Sequence, residues 1–310
     1  MDKNPAPERA AVIAIGSNST RMLCASLDSG LGGAVRGRVE TRLFLALDAQ
    51  GHIGKQALDG LVAAVTALKA QALAAGAQKV ALTATSAVRD SRDLDTLGLL
   101  LKALTGLDMR VMSGQEEARY AFLGAVHPYL REGGLGVIDV GGGSTAIALG
   151  SGEEPAFAHS LQLGASRLYA RQPINSPEEM ERALGIIREQ LDRELALPGF
   201  DAARWLLVGG TGTALAYLLA GGFELDVHED HHFTLEQAVQ ALGKLSALSP
   251  AQRAALPGMT PGREHILPTG LAILTSLMDR LGIAEMLVTH RNNCDGYLYG
   301  MMNGDGGEAG

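Results

Sequence analysis

The stretch VIDVGGGST at 137–145 joins a run of apolar, mostly β-branched residues to a turn of glycines and hydroxyls. A similar stretch, IAIGSNST, occurs at 13–20, and the two align at an offset of 125 residues. LVGGTGT at 207–213 is a looser third copy. Each copy indicates a buried strand that ends in a glycine turn. The repetition predicts a duplicated fold whose two halves face each other across a cleft.

Apolar runs alternate along the chain with segments of helical spacing, which predicts an α/β fold with partly parallel sheets. Strands are expected at 10–16, 80–87, 136–143, 205–210 and 286–290, and helices at 57–75, 94–105, 115–130, 177–196, 213–220, 234–248 and 266–281. A glycine- and proline-containing region at 124–134 marks the domain boundary. We therefore expect a first domain over 1–126 and a second over 127–296, with residues from about 297 to 310 as a candidate return to the first domain.

Length and charge limit the class of protein. A chain of 310 residues, 46% of them apolar, can form two cores. Its net charge of −8 provides no basic field for nucleic acid or for an anionic membrane surface. The leucine-rich runs are shorter than a membrane helix requires. Two distant cysteines and no recognisable signal peptide favour a reducing compartment, so we expect a soluble cytoplasmic protein.

The glycine turns present backbone N–H groups and hydroxyls, which suit phosphate oxygens. One such turn is more often a plain turn, but three in one chain favour phosphate binding. None has the lysine of a P-loop or the GxGxxG spacing of a dinucleotide site. The candidate phosphate-binding residues are Gly16, Ser17, Asn18 and Ser19 in the first turn, Gly141, Gly142, Gly143, Ser144 and Thr145 in the second, and Gly210 and Thr211 in the third.

Three charged residues stand beside these turns. Asp139 ends the second buried strand, where a carboxylate either binds a cation or caps its own turn. Glu116 and Glu117 lie in the first turn of a predicted helix, where acids often only complement the helix dipole. Since consecutive helical residues point about 100° apart, at most one of them is expected to face a cleft and hold a water. Arg89 follows a strand and either clamps a phosphate or pairs with Asp90 or Asp93 at the surface.

These stretches together resemble the exopolyphosphatase and guanosine pentaphosphate phosphohydrolase family, whose two domains have the ribonuclease-H-like fold of actin-like ATPases and sugar kinases. The resemblance rests on six ordered motifs between residues 10 and 300: IAIGSNST, TATSAVRD, SGQEEAR, VIDVGGGST, SLQLGASRL and LVGGTGTALA. The last corresponds to the family's third glycine turn. The resemblance implies two domains with mixed sheets flanked by helices.

The resemblance also implies an activity, the hydrolysis of a terminal phosphoanhydride in polyphosphate or in guanosine pentaphosphate. Glu117 matches the family's base that activates the attacking water. Asp139 matches a carboxylate that holds a divalent cation, usually Mg²⁺, with Mn²⁺ as an alternative. Arg89 matches a phosphate-binding arginine. The sequence leaves open which substrate is preferred and whether the chain forms a homodimer.

Two departures from the family pattern affect the expected metal site, and a further one lies near the C-terminus. Ala14 and Ala146 stand where the family has an aspartate and a glutamate, and Cys294-Asp295-Gly296 replaces arginine-glutamate-glycine. Losing carboxylates weakens a Mg²⁺ site, although Mg²⁺ often keeps waters and binds substrate phosphates. Nothing in the sequence shows that Glu40, Glu153 or Glu154 substitutes. A weakly catalytic sensor of polyphosphate or guanosine polyphosphates is therefore the alternative to a hydrolase, and a phosphotransferase is a third hypothesis.

The remaining histidines and cysteines are not expected to form a functional site. His228, His231 and His232 lie in an acidic stretch whose spacing does not fit a metal site, so we predict an exposed polar loop. His265 and His290 are expected to be structural. Cys24 is expected to pack in the core, and Cys294 to have no disulfide partner.

Overall fold

The computed structural model describes residues 8–131, 133–224 and 231–302. The chain divides into two compact units, Met1–Gly124 with Asn293–Gly310, and Ala125–Asn292. The boundary therefore lies two residues before the predicted one, and the return to the first unit starts at 293 rather than at 297. The prediction that the two halves face each other across a cleft stays a prediction.

The first unit is built on one mixed sheet of five strands in the order β3-β2-β1-β4-β5. Its strands are β1 (Arg9–Ile15), β2 (Ser19–Ser26), β3 (Gly32–Glu40), β4 (Lys79–Ala84) and β5 (Met109–Val111). Its helices are α1 (Lys55–Ala74), α2 (Ser86–Arg89), α3 (Leu94–Thr105), α4 (Gly114–Val126, whose last two residues belong to the second unit) and α11 (Asn293–Met302). β1 runs antiparallel to β2 and parallel to β4.

The second unit repeats this arrangement. Its six-stranded sheet has the order β8-β7-β6-β9-β11-β10, in which β6 runs antiparallel to β7 and parallel to β9. The strands are β6 (Leu135–Val140), β7 (Thr145–Gly150), β8 (Phe157–Leu161), β9 (Arg204–Val208), β10 (His231–Thr234) and β11 (Glu285–Val288). The helices are α5 (Ala165–Arg171), α6 (Pro177–Glu194), α7 (Gly209–Ala220), α8 (Leu235–Ser246), α9 (Pro250–Ala254) and α10 (Leu267–Arg280). The predicted duplication and the α/β class are thus confirmed.

The central strand β1 is apolar from Ala10 to Ile15 because both faces of its sheet are covered. Ile13 and Ile15 point into one cluster, with Leu61 and Leu68 of α1. Val12 and Ala14 alternate with them and point into a second cluster that includes residues of α11. Side chains of a strand alternate between faces, so two buried faces require a continuous apolar run. This is the physical reason that the run at 10–16 predicts a buried strand.

Helix α1 is the only described helix that is long and apolar enough to cross a membrane by length and composition. In the structure, Leu61, Val65 and Leu68 on one of its faces are buried in the core of the first unit. The apolar residues on this face of α1 therefore pack against the sheet.

Several sequence predictions need correction. The stretch 115–130 is helical only to Val126 and continues as a short 3-10 helix at 127–129. The motif SLQLGASRL contains the end of β8, at Leu161, and the start of α5, at Ala165. The predicted polar loop around the histidines contains a strand, because His231 and His232 belong to β10 and pair with β11; His228 lies outside the described residues. Pairing to a neighbouring strand, which sequence spacing does not reveal, fixes this segment.

Candidate active site

The first two glycine turns are the same hairpin. In the first turn the Gly16 N–H donates to Ser19 O at 3.1 Å, and in the second the Gly141 N–H donates to Ser144 O at 3.0 Å. A Cβ atom at Gly16 would lie 2.8 Å from Ser19 O, and one at Gly141 would lie 2.9 Å from Ser144 O. Both distances are shorter than real Cβ contacts, so each turn requires glycine at its first position. The duplication therefore extends to the hydrogen bonds of the turns.

The side chains of the first turn are held by the unit that carries them. The Ser17 hydroxyl lies 2.9 Å from the Ser86 hydroxyl, and both residues are buried. The Asn18 amide donates to Glu40 Oε2 at 2.7 Å. A carboxylate from β3 thus reaches the first turn, and the amide of Asn18 and the guanidinium of Arg38 hold it. Both carboxylate oxygens of Glu40 are therefore engaged by these two side chains.

The threonines of the other turns direct their hydroxyls into the protein. Thr145 Oγ1 donates to Leu163 O, and Thr211 Oγ1 donates to Val140 O at 2.8 Å. Both hydroxyl protons are thus used in hydrogen bonds to backbone carbonyls. The groups that this part of the chain can offer an anion are therefore backbone amides rather than the hydroxyl protons of Thr145 and Thr211.

The third glycine turn is the start of a helix, which corrects the expectation of a free turn. α7 begins at Gly209, whose φ of +82° falls in the left-handed region that favours glycine. Gly210 and Thr211 lie in the first turn of this 12-residue helix. The first N–H groups of a helix have no partner within the helix, so GGTGT places such N–H groups at the start of α7.

Asp139 lies beside this helix start. The Asp139 carboxylate packs against Gly209, where a Cβ atom would overlap Oδ1. Asp139 pairs with Ala146 on β7 and with Val208 on β9. Directly opposed residues in neighbouring strands carry their side chains on the same face. A carboxylate at residue 146 would therefore lie beside Asp139 on the same face, and here the side chain is a methyl group.

The described residues do not form a protein-built metal cage. They contain no group of three or more His, Cys, Asp or Glu side chains that could hold a metal ion. Glu153 and Glu154 lie in the exposed connection after β7, at the opposite end of that strand from the second turn. Six strand residues span about 20 Å, at about 3.3 Å per residue. These glutamates therefore do not substitute for the missing carboxylate, and Asp139 fits a cation only if substrate oxygens and water complete its coordination.

Two arginines beside the turns were missed by the sequence analysis. Arg263 is 5% exposed, and its guanidinium lies against Gly210, where a Cβ atom would overlap it. Arg21 lies on β2 opposite Ala14, and its Nε is 3.4 Å from Ser19 Oγ. Strand alternation from Ser19 could have indicated Arg21. No sequence signal links Arg263 to Gly210, because the two residues are 53 positions apart.

Arg89 and Glu117 meet inside the first unit. Arg89 Nη1 donates to Met112 O at 2.7 Å and lies 3.5 Å from Glu117 Oε2. The Glu117 side chain is 11% exposed. The buried Arg89 Nη2 has no hydrogen-bond partner among the described residues. The alternative of a surface pair with Asp93 is wrong, since Asp93 binds the His52 ring and the Ile53 N–H. A buried guanidinium N–H without a partner is costly unless an anion takes it.

The neighbouring glutamate has a different role. The Ser113 N–H donates to Glu116 Oε2 at 2.8 Å, and the Glu116 N–H donates to Ser113 Oγ at 3.1 Å. This reciprocal pair is a capping box that begins α4. Arg110 Nη2 lies 2.6 Å from Glu116 Oε1. Burial acts to raise the pKa of Glu116, but the hydrogen bonds from Ser113 and Arg110 outweigh it and hold the pKa below its usual range.

We expect Glu116→Gln to reduce stability at neutral pH without changing the activity. Because the folded-state pKa is lowered, the charged form stabilises the fold above the unfolded pKa of about 4.3, and this contribution is lost as the pH falls through the folded pKa. Gln keeps the cap, so the loss at pH 7 is less than about 1 kcal/mol. Chemical denaturation of both proteins from pH 7 to pH 3 measures it, and a difference that does not shrink on acidification would contradict the prediction.

Asp295 is committed to an ion pair. Its two carboxylate oxygens lie 2.6 and 3.1 Å from the guanidinium nitrogens of Arg36, and the Asp295 side chain is 3% exposed. Burial acts to lower the pKa of Arg36, but pairing with Asp295 raises it above its usual value. The carboxylate that follows Cys294 therefore fixes α11 to β3, and it is not offered as a metal ligand.

The histidine and cysteine predictions have mixed outcomes. Cys24 is fully buried in the core, as predicted, and Cys294 is buried and free of any disulfide. The His265 ring packs edge-on against Tyr169 at 5.2 Å, which supports a structural role. His290 is half-buried and lies two residues after β11.

The chain is similar to named phosphatases over most of its length. The model of the Ppx/GppA phosphatase family matches residues 30–304. Exopolyphosphatase 2 of Mycobacterium tuberculosis is 31% identical over 312 residues, which covers 93% of this chain and 97% of that protein. Exopolyphosphatase 1 of Mycobacterium bovis is 28% identical over 287 residues, with coverages of 89% and 83%.

Solved structures have the same fold at lower identity. An exopolyphosphatase-like protein superposes with a TM-score of 0.87 at 22% identity, covering 94% of this chain and 97% of that one. An exopolyphosphatase from Cytophaga hutchinsonii gives 0.86 at 20% identity, with coverages of 96% and 98%. A Ppx/GppA family member from Aquifex aeolicus gives 0.81 at 22% identity, with coverages of 97% and 100%.

The two mixed sheets share the order of five strands, β3-β2-β1-β4-β5 and β8-β7-β6-β9-β11, and glycines follow β1, β6 and β9. Together these features define a protein of the actin-like ATPase and sugar-kinase fold. Within that class, the chain belongs to the Ppx/GppA phosphatase family.

Proposed function

We propose that the protein is an exopolyphosphatase, which releases orthophosphate from the end of inorganic polyphosphate and also accepts guanosine pentaphosphate. The observation that carries the proposal is the pair of Glu117 and Arg89, in which a buried carboxylate lies 3.5 Å from a guanidinium whose Nη2 has no partner among the described residues. Family membership and the two matched glycine turns support it.

In the proposed reaction, Glu117 accepts a proton from the attacking water. The water oxygen bonds to the terminal phosphorus, and the phosphoanhydride bond breaks so that its electron pair goes to the shortened polyphosphate. The ionised carboxylate is the form of Glu117 that can accept this proton, and the guanidinium of Arg89 lies 3.5 Å from it. Phosphoryl transfer depends mainly on positioning and on donors around the equatorial oxygens. We assign that task to Arg89 Nη2 and to the amides of the three glycine segments.

A divalent cation has one protein ligand in this proposal. Asp139 would hold Mg²⁺ or Mn²⁺, and a bound cation would neutralise phosphate charge. The rest of its coordination would come from substrate oxygens and water, because Ala146 and the methyl group of Ala14 offer no ligand. We therefore expect the metal to bind weakly without substrate.

The test is phosphate release from long-chain polyphosphate and from guanosine pentaphosphate, each with Mg²⁺, with Mn²⁺ and with a chelator. Release from either substrate supports a hydrolase. Tight polyphosphate binding without release would select the sensor, which the alanines at 14 and 146 favour. Transfer of the labelled γ-phosphate of ATP to an alcohol or carboxylate acceptor would select a phosphotransferase. The absence of both phosphate release and polyphosphate binding would refute the proposal.

We expect Ala146→Glu to strengthen metal binding. Residue 146 lies directly opposite Asp139 and is 5% exposed, so the new carboxylate would be buried beside an existing one. Without a cation this like-charge pair is destabilising. The variant should melt below the wild type in chelator and gain more in melting temperature from Mn²⁺, because the ion binds the folded state. Ala148→Glu, on the same strand and face, is the control; an equal Mn²⁺ shift in both variants would contradict the prediction.

A further inference from the structure

A loop that binds phosphate through its backbone has to turn its carbonyl oxygens away from the anion. In the second turn all three glycine carbonyls are directed at α5. The Ala165 N–H donates to Gly141 O at 2.9 Å. The Ser166 and Arg167 N–H groups donate to Gly142 O at 2.8 and 3.0 Å. Arg167 Nε donates to Gly143 O at 2.6 Å.

The direction of each carbonyl also fixes an amide. A trans peptide is planar, so its C=O and N–H groups point in opposite directions. Pinning the carbonyls of residues 141, 142 and 143 therefore aims the N–H groups of Gly142, Gly143 and Ser144 away from α5. Gly164 permits this approach, because a Cβ atom there would lie 2.5 Å from Gly142 O, Gly143 C and Ser144 N.

The third of these peptides is held by a side chain. The backbone amides of α5 take the carbonyls of residues 141 and 142, and the carbonyl of Gly143 accepts from Arg167. Arg167 Nη2 also donates to Gln162 Oε1 at 2.9 Å, which orients the guanidinium plane. The first turn uses backbone donors instead: the Arg42 and Phe44 N–H groups take the carbonyls of Asn18 and Ser17. The use of an arginine side chain to hold a turn carbonyl therefore distinguishes the second turn from the first.

We propose that Arg167 is a positioning residue that keeps the Gly143–Ser144 peptide oriented with its amide toward a bound phosphate. The inference rests on the proposed function of the second turn as a phosphate site. Glycine at 143 makes a flip of this peptide easy. Without the guanidinium, the flip would remove one donor and point a carbonyl oxygen at the anion.

The experiment compares Arg167→Ala with Arg171→Ala, a control at an exposed arginine in the last turn of the same helix. In polyphosphate hydrolysis by the full chain, loss of one preorganised donor is expected to lower kcat by about 100-fold, in the range seen for single oxyanion donors. Millimolar guanidinium should recover part of the loss in Arg167→Ala and leave Arg171→Ala unchanged. Wild-type kcat in Arg167→Ala, or a loss that guanidinium does not recover, would overturn the inference.

A second measurement separates this inference from the proposed function. In amide NMR spectra of the wild type, titration with orthophosphate should shift the Gly142, Gly143 and Ser144 signals. In Arg167→Ala the Ser144 response should be lost and the Gly142 response kept. An unchanged Ser144 response in Arg167→Ala, or no response of the three amides in the wild type, overturns the inference. A wild type that shows the shifts but releases no phosphate refutes the hydrolase alone.

Discussion

Glu117→Gln is expected to lower the kcat for phosphate release by about 10²- to 10⁴-fold, which is the usual contribution of a positioned general base. Gln is nearly isosteric with Glu but cannot accept the proton of the attacking water. Gln leaves room for the contact with Arg89, which is 3.5 Å in the wild type, but the contact becomes weaker because the negative charge is lost. Substrate binding depends in the proposal on the glycine segments and Arg89, so the affinity for polyphosphate should change little.

The measurements are kcat from phosphate release and polyphosphate affinity from calorimetry. Glu116→Gln is the matched control, because it makes the same chemical change one residue earlier, at the capping box. A variant at 117 with wild-type kcat would refute the proposed base. Equal losses in the two variants would assign the effect to the start of α4 instead of to the chemistry.

Gly296→Ala is expected to destabilise the protein. Gly296 lies in α11, and a Cβ atom there would overlap the backbone oxygen of Tyr120 in α4 and would lie 2.9 Å from Gly124 N. Overlap with backbone cannot be relieved by a rotamer change, so the two helices must separate. Overpacking of this kind costs about 1–3 kcal/mol, and it outweighs the gain of up to about 1 kcal/mol that Ala normally brings to a helix.

Gly60→Ala is the control for this comparison. Gly60 lies in α1 of the same unit, and a Cβ atom at this position would meet nothing within 4 Å. The substitution should therefore raise the free energy of unfolding by up to about 1 kcal/mol. Denaturant midpoints of the two variants should move in opposite directions. A Gly296→Ala protein as stable as the wild type would show that α11 does not pack on α4 as described.

The central strands were predictable because burial on both faces leaves a continuous apolar run. The flanking strands were not predicted: β2 and β3 carry mixed patterns, as in STRMLCAS and GGAVRGRVE. They are held by antiparallel pairing of β2 with β1 and of β3 with β2, and backbone pairing of this kind does not require a continuous apolar run. The start of α7 was missed for the opposite reason, since glycines suggest a turn although Gly209 here begins a helix.

For the candidate active site, too, the sequence predicted some features and the structure was needed for others. The motif order predicted Glu117, Arg89 and Asp139 through a resemblance, and residue spacing alone limited the two glutamates to one candidate. The structure separates them by their contacts, since Glu116 caps α4 whereas Glu117 lies beside Arg89. Whether these residues act on phosphate stays a prediction.

The amino-acid sequence by itself determined the duplicated α/β fold and the glycine segments, because buried strands and hairpins that require glycine depend on local composition. Tertiary structure alone decided three contacts. The guanidinium of Arg263 packs against Gly210, and Arg167 donates a hydrogen bond to the carbonyl of Gly143. Asp295 forms an ion pair with Arg36. Each of these is a contact between side chains and segments that only the folded chain brings together, and its energy depends on burial and geometry, which residue order does not encode locally.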